Sequence, residues 1–275
     1  MLIKTPMRIK LSFFTIFYIL PVLLLLSGCK EDDPVPAKET VLKIRFNHQV
    51  NGNNLITDSM IYTNAAGNPY EVTEIMYFIS DLKLYHHDGR IIEPATWDDI
   101  HYTDTNIPET FEWIVGNNIP EGVYDSLSFT FGISEAKNKS FMFVNPPEVN
   151  MAWPEVLGGG YHYMMLNGWW NDTLGIRRSF NFHLGIGQIY TNNSGEVGDI
   201  TGFVQNAFTV TPDGASFTIE AGKTHHCILI MNVESWFETP VIYDHNHFGG
   251  AIMQNQEAMH IGCLNGADAF AIEWE

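Results

Sequence analysis

Period-2 alternation is the feature that most narrows the fold. Leu42, Ile44, Phe46 and His48 fall on one face of an extended segment, with Lys43, Arg45 and Asn47 on the other. Val123, Leu127, Phe129, Phe131 and Ile133 share one face of a second segment, with Tyr124, Ser126, Ser128 and Thr130 opposite. Residues 161–166, 179–184, 203–210, 216–220 and 226–233 read as further strands. The pairs Asn51-Gly52, Gly67-Asn68, Asp88-Gly89 and Asp213-Gly214 punctuate the pattern with turn residues. A strand with one apolar face must bury it against a second layer. The expectation is therefore an all-β, antiparallel β-sandwich. Residues 234–238 and 251–260 supply short helical insertions, the second stopped by Gly262. Residues 72–79 fit two templates, because Val72, Ile75, Met76 and Ile79 form a helical stripe in a stretch rich in β-branched and aromatic residues.

The N-terminus asks for export rather than packing. Lys4, Arg8 and Lys10 precede an apolar run over 11–26, interrupted only by Ser12, Thr15 and Pro21. The run ends in Leu26-Ser27-Gly28-Cys29, which resembles the lipobox of bacterial lipoproteins. That resemblance makes residues 1–28 a lipoprotein signal peptide and Cys29 the acylated mature N-terminus. Residues 29–40 are then a tether, and 41–275 the folded domain. Several acyl chains on one residue suffice for stable anchoring. Lys30-Glu31-Asp32-Asp33 resembles a surface-export tag, so the expected place is the outer membrane, either surface-exposed or facing the periplasm.

Charge removes two partner classes. The chain has 14 Lys and Arg against 32 Asp and Glu, a net charge of −18. Three of the 14 leave with the signal peptide, so the mature chain carries −21. Nucleic-acid binding needs clustered Lys and Arg, and anionic headgroups repel such a surface. Membrane contact is thus expected through the anchor alone. Cys227 and Cys263 are the other two cysteines. In an oxidising compartment they read as one disulfide or as two separate buried thiols.

No nucleophile elbow, phosphate loop, HExxH or EF-hand loop occurs in the sequence. Histidine stands out: there are 11, all beyond residue 47. His48 ends an apolar strand face, where it is either a core residue or a ligand. His162 lies in phase with Met164, and His183 lies out of phase with Phe180 and Phe182. Imidazoles beside thioethers suit a soft cation such as Cu(I), and the same mixture is ordinary Met-rich packing. His225 and His226 point to opposite faces if extended, whereas His245 and His247 share one.

Motif order points to a family. Gly67–Thr73 has the form G-x-x-Y-x-V-T, and 78–84 reads Phe-Ile-Ser-Asp-x-x-Leu before the Asp88-Gly89 turn. A strand end at 129–133, a loop with Trp153 leading into Gly160-Tyr161, and Phe182-His183-Leu184-Gly185 follow. From Val41 to Ile272 the chain resembles the MbnP-like copper-binding family. The resemblance implies a periplasmic or surface copper protein beside a di-haem peroxidase of the MauG type, which converts a Trp to kynurenine. On matching positions Trp153 is the kynurenine precursor and His183 a metal ligand, with His48 and His162 as further candidates. Two departures are visible: Met151 stands where many members have the first Trp of Trp-x-Trp, and the Cys with which many members follow His-Leu-Gly is absent near Gly185.

The leading expectation is a lipid-anchored copper-binding protein, Cu(I) being the suited ion, that is not itself an enzyme. The alternative is a surface glycan- or peptide-binding β-sandwich whose exposed aromatics, such as Trp169 and Trp170, stack on ligand.

Overall fold

The computed structural model describes residues 39–94, 99–191, 194–214 and 216–275. The expectations of a signal peptide over 1–28, an acylated Cys29 and a tether fall on residues before 39 and so lie outside the described residues. The alternation at the start becomes β1 (Val41–Val50), whose even-numbered side chains are buried throughout. Two-residue strands β2 (Asn53–Asn54) and β3 (Tyr62–Thr63) lead to the 18-residue β4 (Pro69–His86). β5 (Ile91–Ile92), β6 (Ile100–Asp104), β7 (Glu112–Asn117) and β8 (Gly122–Phe131) follow. After a long connection come β9 (Met164–Asn171), β10 (Arg177–Leu184), β11 (Gly187–Tyr190) and β12 (Ile200–Val204). Then come β13 (Phe208–Val210), β14 (Phe217–Ile219) and β15 (Thr224–Asn232). Helices α1 (His245–Phe248) and α2 (Gln256–Gly266) and strand β16 (Phe270–Trp274) close the chain.

Two sheets carry the core. One holds β16, β15, β1, β2 and β7; the other is centred on β4, with β9 and β10 on one side and β8, β13 and β14 on the other. They pack face to face through aromatic pairs such as Phe46 on Tyr77 and Phe131 on Phe270. The all-β sandwich expectation holds, with one ladder of the other sense. β1 and β15 pair in parallel from Val41↔Thr224 to Gln49↔Asn232. Parallel neighbours need a long crossover, and here the whole second sheet lies in that connection.

β4 explains its own ambiguity. Its burial is almost continuous from Ile75 to Leu82, because both faces are covered. Tyr77 meets Phe46 and Phe131 in the inter-sheet core. Phe78 points the other way, onto Phe143 and Tyr161. A strand buried on both faces loses the period-2 signal.

Three local expectations change. In β8, Tyr124 is buried and Val123 exposed. The ladder with β4 shifts between Tyr85 and His86, so a bulge reverses the phase between Tyr124 and Leu127. The C-terminal helix begins at Asn255, whose side chain accepts the Ala258 N–H, rather than at 251. Gly262 does not end it. A Cβ there would come 2.9 Å from Phe182 Cζ, so glycine lets the helix press on β10. Of the two readings left open for Cys227 and Cys263, the structure has the separate thiols. Cys227 lies in β15 opposite Trp274, and Cys263, on α2, gives its S–H to the Asn206 carbonyl at 3.3 Å. Burial pushes both thiols up to about 12.

Candidate metal centre

Register sorts the candidate histidines. Met76, Met165 and His183 lie directly opposite one another across β4, β9 and β10, so they share a face. Phe182, one residue earlier, packs on Trp236, Phe237 and Tyr243 inside the sandwich. His183 therefore projects from the outer face of the sheet. His48 is in the inter-sheet core, edge-on to Tyr77 at 5.7 Å and 5.5 Å from the Phe111 ring. The backbone of the larger sheet lies between His48 and His183.

The segment 138–160 covers this outer face. Phe143 stacks on Phe78 at 5.4 Å, and Tyr161 donates its hydroxyl to the Phe143 carbonyl. Two short 3-10 turns, Glu148–Met151 and Glu155–Leu157, carry the chain across. Gly158, Gly159 and Gly160 all have positive φ, which lets the chain reverse tightly into Tyr161. Trp153 is buried in this loop, its indole N–H donated to the Leu157 carbonyl at 3.1 Å. A bend at Tyr163 ends the phase relation between His162 and Met164, and brings His162 under the loop.

Here two imidazoles meet. The rings of His162 and His183 lie 5.2 Å apart at 87°, and Trp153 is edge-on to His162 at 4.6 Å. His162 Nδ1 is 2.9 Å from the Met151 carbonyl. A carbonyl only accepts, so Nδ1 carries the proton and Nε2 holds the lone pair. His183 Nε2 is 2.8 Å from Asn167 Oδ1. The Asn167 amide nitrogen faces Glu74 Oε2 at 3.5 Å, and Glu74 Oε1 accepts from Asn106 at 2.6 Å. That chain fixes Oδ1 as an acceptor and leaves the His183 lone pair on Nδ1. His162 Nε2 and His183 Nδ1 are the buried ring nitrogens without a partner in this pair. Burial pushes His183 down to about 3, helped by His162, and lowers His162 too. Both are neutral nitrogen donors near pH 7, as metal ligation requires. Among the described residues no group of three or more His, Cys, Asp and Glu is placed to hold a metal ion. The donors on offer are this pair and its immediate neighbours.

The MbnP family profile matches residues 39–256. The chain belongs to the MbnP family. MbnP from Methylosinus trichosporium has a similar fold, with a TM-score of 0.56 and 16% identity. That match covers 86% of this chain and 99% of the other. No curated protein matches the chain.

In this MbnP-family chain the other sequence candidates sit elsewhere. Trp169 lies under the Arg177 guanidinium at 4.4 Å, and Trp170 is buried with its N–H on Asn246. They are not an exposed aromatic pair. His225 is 3.2 Å from the Glu220 carbonyl. His245 is enclosed by Trp170, Phe180, Phe237 and Tyr243, with neither ring nitrogen partnered. It does not join His247, whose ring packs on Phe248. Sequence reasoning missed Asn167 and Glu74, which hold His183. The available signal was the outward phase of Met165, Asn167 and Trp169 between buried Leu166, Gly168 and Trp170.

Proposed function

We propose that this protein is a lipid-anchored cell-envelope protein that binds copper as Cu(I) through His162 and His183, and that it is not itself an enzyme. One observation carries the reading: two buried imidazoles lie 5.2 Å apart, centre to centre, each with one ring nitrogen hydrogen-bonded to a protein acceptor and the other unpartnered. Such a pair supplies neutral σ-donors without adding charge, which suits a soft monovalent ion. Hydrogen-bonded protein groups orient both rings, as is usual behind metal ligands. Family membership supports the choice of copper. The resemblance also supports a MauG-type di-haem peroxidase as partner, acting on Trp153, whose indole touches the His162 ring. His48 is assigned to the core.

Protein purified from copper-replete cells without chelators is expected to hold one copper per chain. Metal-free protein that also takes up no Cu(I) anaerobically contradicts the reading. The anchor has a separate test. Intact mass should show residues 1–28 gone and acyl mass on Cys29, and an unmodified Cys29 in membrane-extracted protein refutes it. The peptide containing Trp153 should carry the kynurenine mass when the di-haem partner is co-expressed.

A further inference from the structure

We propose that Met165 supplies a thioether as the third donor beside His162 and His183, and that this sulfur makes the centre selective for soft monovalent cations. The inference rests on the reading of the two histidines as copper ligands. Met165 lies directly opposite His183 in the β9–β10 ladder, where facing side chains have Cβ atoms about 5 Å apart. It is half-buried, whereas His162 and His183 are buried. Met165 is thus the member of the group that borders solvent.

The other groups nearby are already engaged. The Met151 carbonyl accepts both the backbone N–H and Nδ1–H of His162. Asn167 holds His183 Nε2. Glu74 faces Asn106 and Asn167, and Asp104 takes the Tyr102 hydroxyl and the Asn106 N–H. A hard divalent ion finds no unengaged carboxylate among these neighbours. A soft ion finds two imidazole nitrogens and a thioether. The Glu74 carboxylate, one amide beyond His183, offsets a buried positive charge without touching it.

The test uses Ag(I) as a redox-inert soft probe and Cu(I) in parallel. Protein labelled with 13C-methyl methionine is titrated, the Met165 resonance being assigned from the Met165→Leu spectrum. One equivalent of Ag(I) should shift the Met165 methyl more than any other. Met165→Leu should weaken Ag(I) and Cu(I) binding about tenfold or more and leave Zn(II) binding within about twofold. Met76→Leu, on the same face one strand further, should leave all three within about twofold, as a volume-conserving swap. A Met165 methyl that stays put, or equal losses in Met76→Leu and Met165→Leu, overturns the proposal. If His162→Ala and His183→Ala still abolish binding in that case, the two-histidine reading stands without Met165. If wild type binds neither Ag(I) nor Cu(I), the copper reading falls and takes this proposal with it. Should Met165→Leu not fold, the His183→Leu spectrum and selective labelling identify the methyl, and its Ag(I) response decides.

Discussion

At the residue scale, what distinguishes the buried histidines is where the proton sits and what holds it there. Asn167 sets His183, so Asn167→Leu is expected to weaken Cu(I) binding by about 10–100-fold with the fold retained. Unchanged affinity in a competition titration would mean that the ring is held otherwise. His245 makes the opposite point: wholly buried, with both nitrogens unpartnered, it is pushed from 6.5 down to about 3 by burial. A histidine with a lowered folded pKa binds fewer protons than the unfolded chain below its ordinary value. Stability is therefore intact above about pH 6.5 and lost as pH falls towards the folded value, at about 1.4 kcal/mol per pH unit. His245→Phe removes that loss. Relative to wild type it should gain about 2 kcal/mol between pH 7 and pH 5 in urea unfolding. An identical difference at both pH values contradicts this. Sequence spacing exposed His183 as out of phase with its core neighbours, and His48 as core-facing. It could not pair His162 with His183, because the bend at Tyr163 and the return of the glycine turn at 158–160 are tertiary facts.

At the element scale, the loop over the outer face and the end of β10 are fitted to each other. A Cβ on Gly185 would come 2.5 Å from Trp153 Cε3. Gly185→Ala must therefore displace the indole, and overpacking of this kind costs about 1–3 kcal/mol. Hydrogen exchange should accelerate in residues 152–161 and stay unchanged in β1 and β15. Uniform acceleration across both sheets would show that the loop is no separate unit. The strands themselves were legible wherever one face is buried and the other wet, as in β1. Legibility failed at β4, where both faces are covered. It failed again in β8, where the bulge opposite Tyr85 and His86 depends on the partner strand and leaves no mark in the local sequence. The start of α2 was readable in principle from the cap Asn255, but Ala251, Ile252 and Met253 extend the apolar spacing upstream.

At the scale of the whole molecule, the described residues belong to one compact unit in which the first and last described strands lie in one sheet. β1 is joined to β15 in parallel, and β16 completes that sheet from Cys227↔Trp274 to Met231↔Phe270. The family match stops at residue 256, yet the fold does not. Removing residues 257–275 strips α2 from Trp236 and β10 and opens the β15 edge. A chain ending at 256 is expected to lack the near-ultraviolet circular dichroism and sharp thermal transition of the full-length domain. A cooperative transition within a few degrees of full length, a shift equivalent to about 1 kcal/mol or less, would disprove that. In the proposed function, one copper site is built by His162 and His183 on the outer face of the larger sheet, with His48 apart in the core. Its most direct test is anaerobic Cu(I) competition titration of wild type, His162→Ala, His183→Ala and His48→Ala. One Cu(I) per wild-type chain is expected, with loss of that binding in His162→Ala and in His183→Ala, and wild-type stoichiometry and affinity in folded His48→Ala. Full binding in either of the first two variants, or its loss in folded His48→Ala, would contradict it.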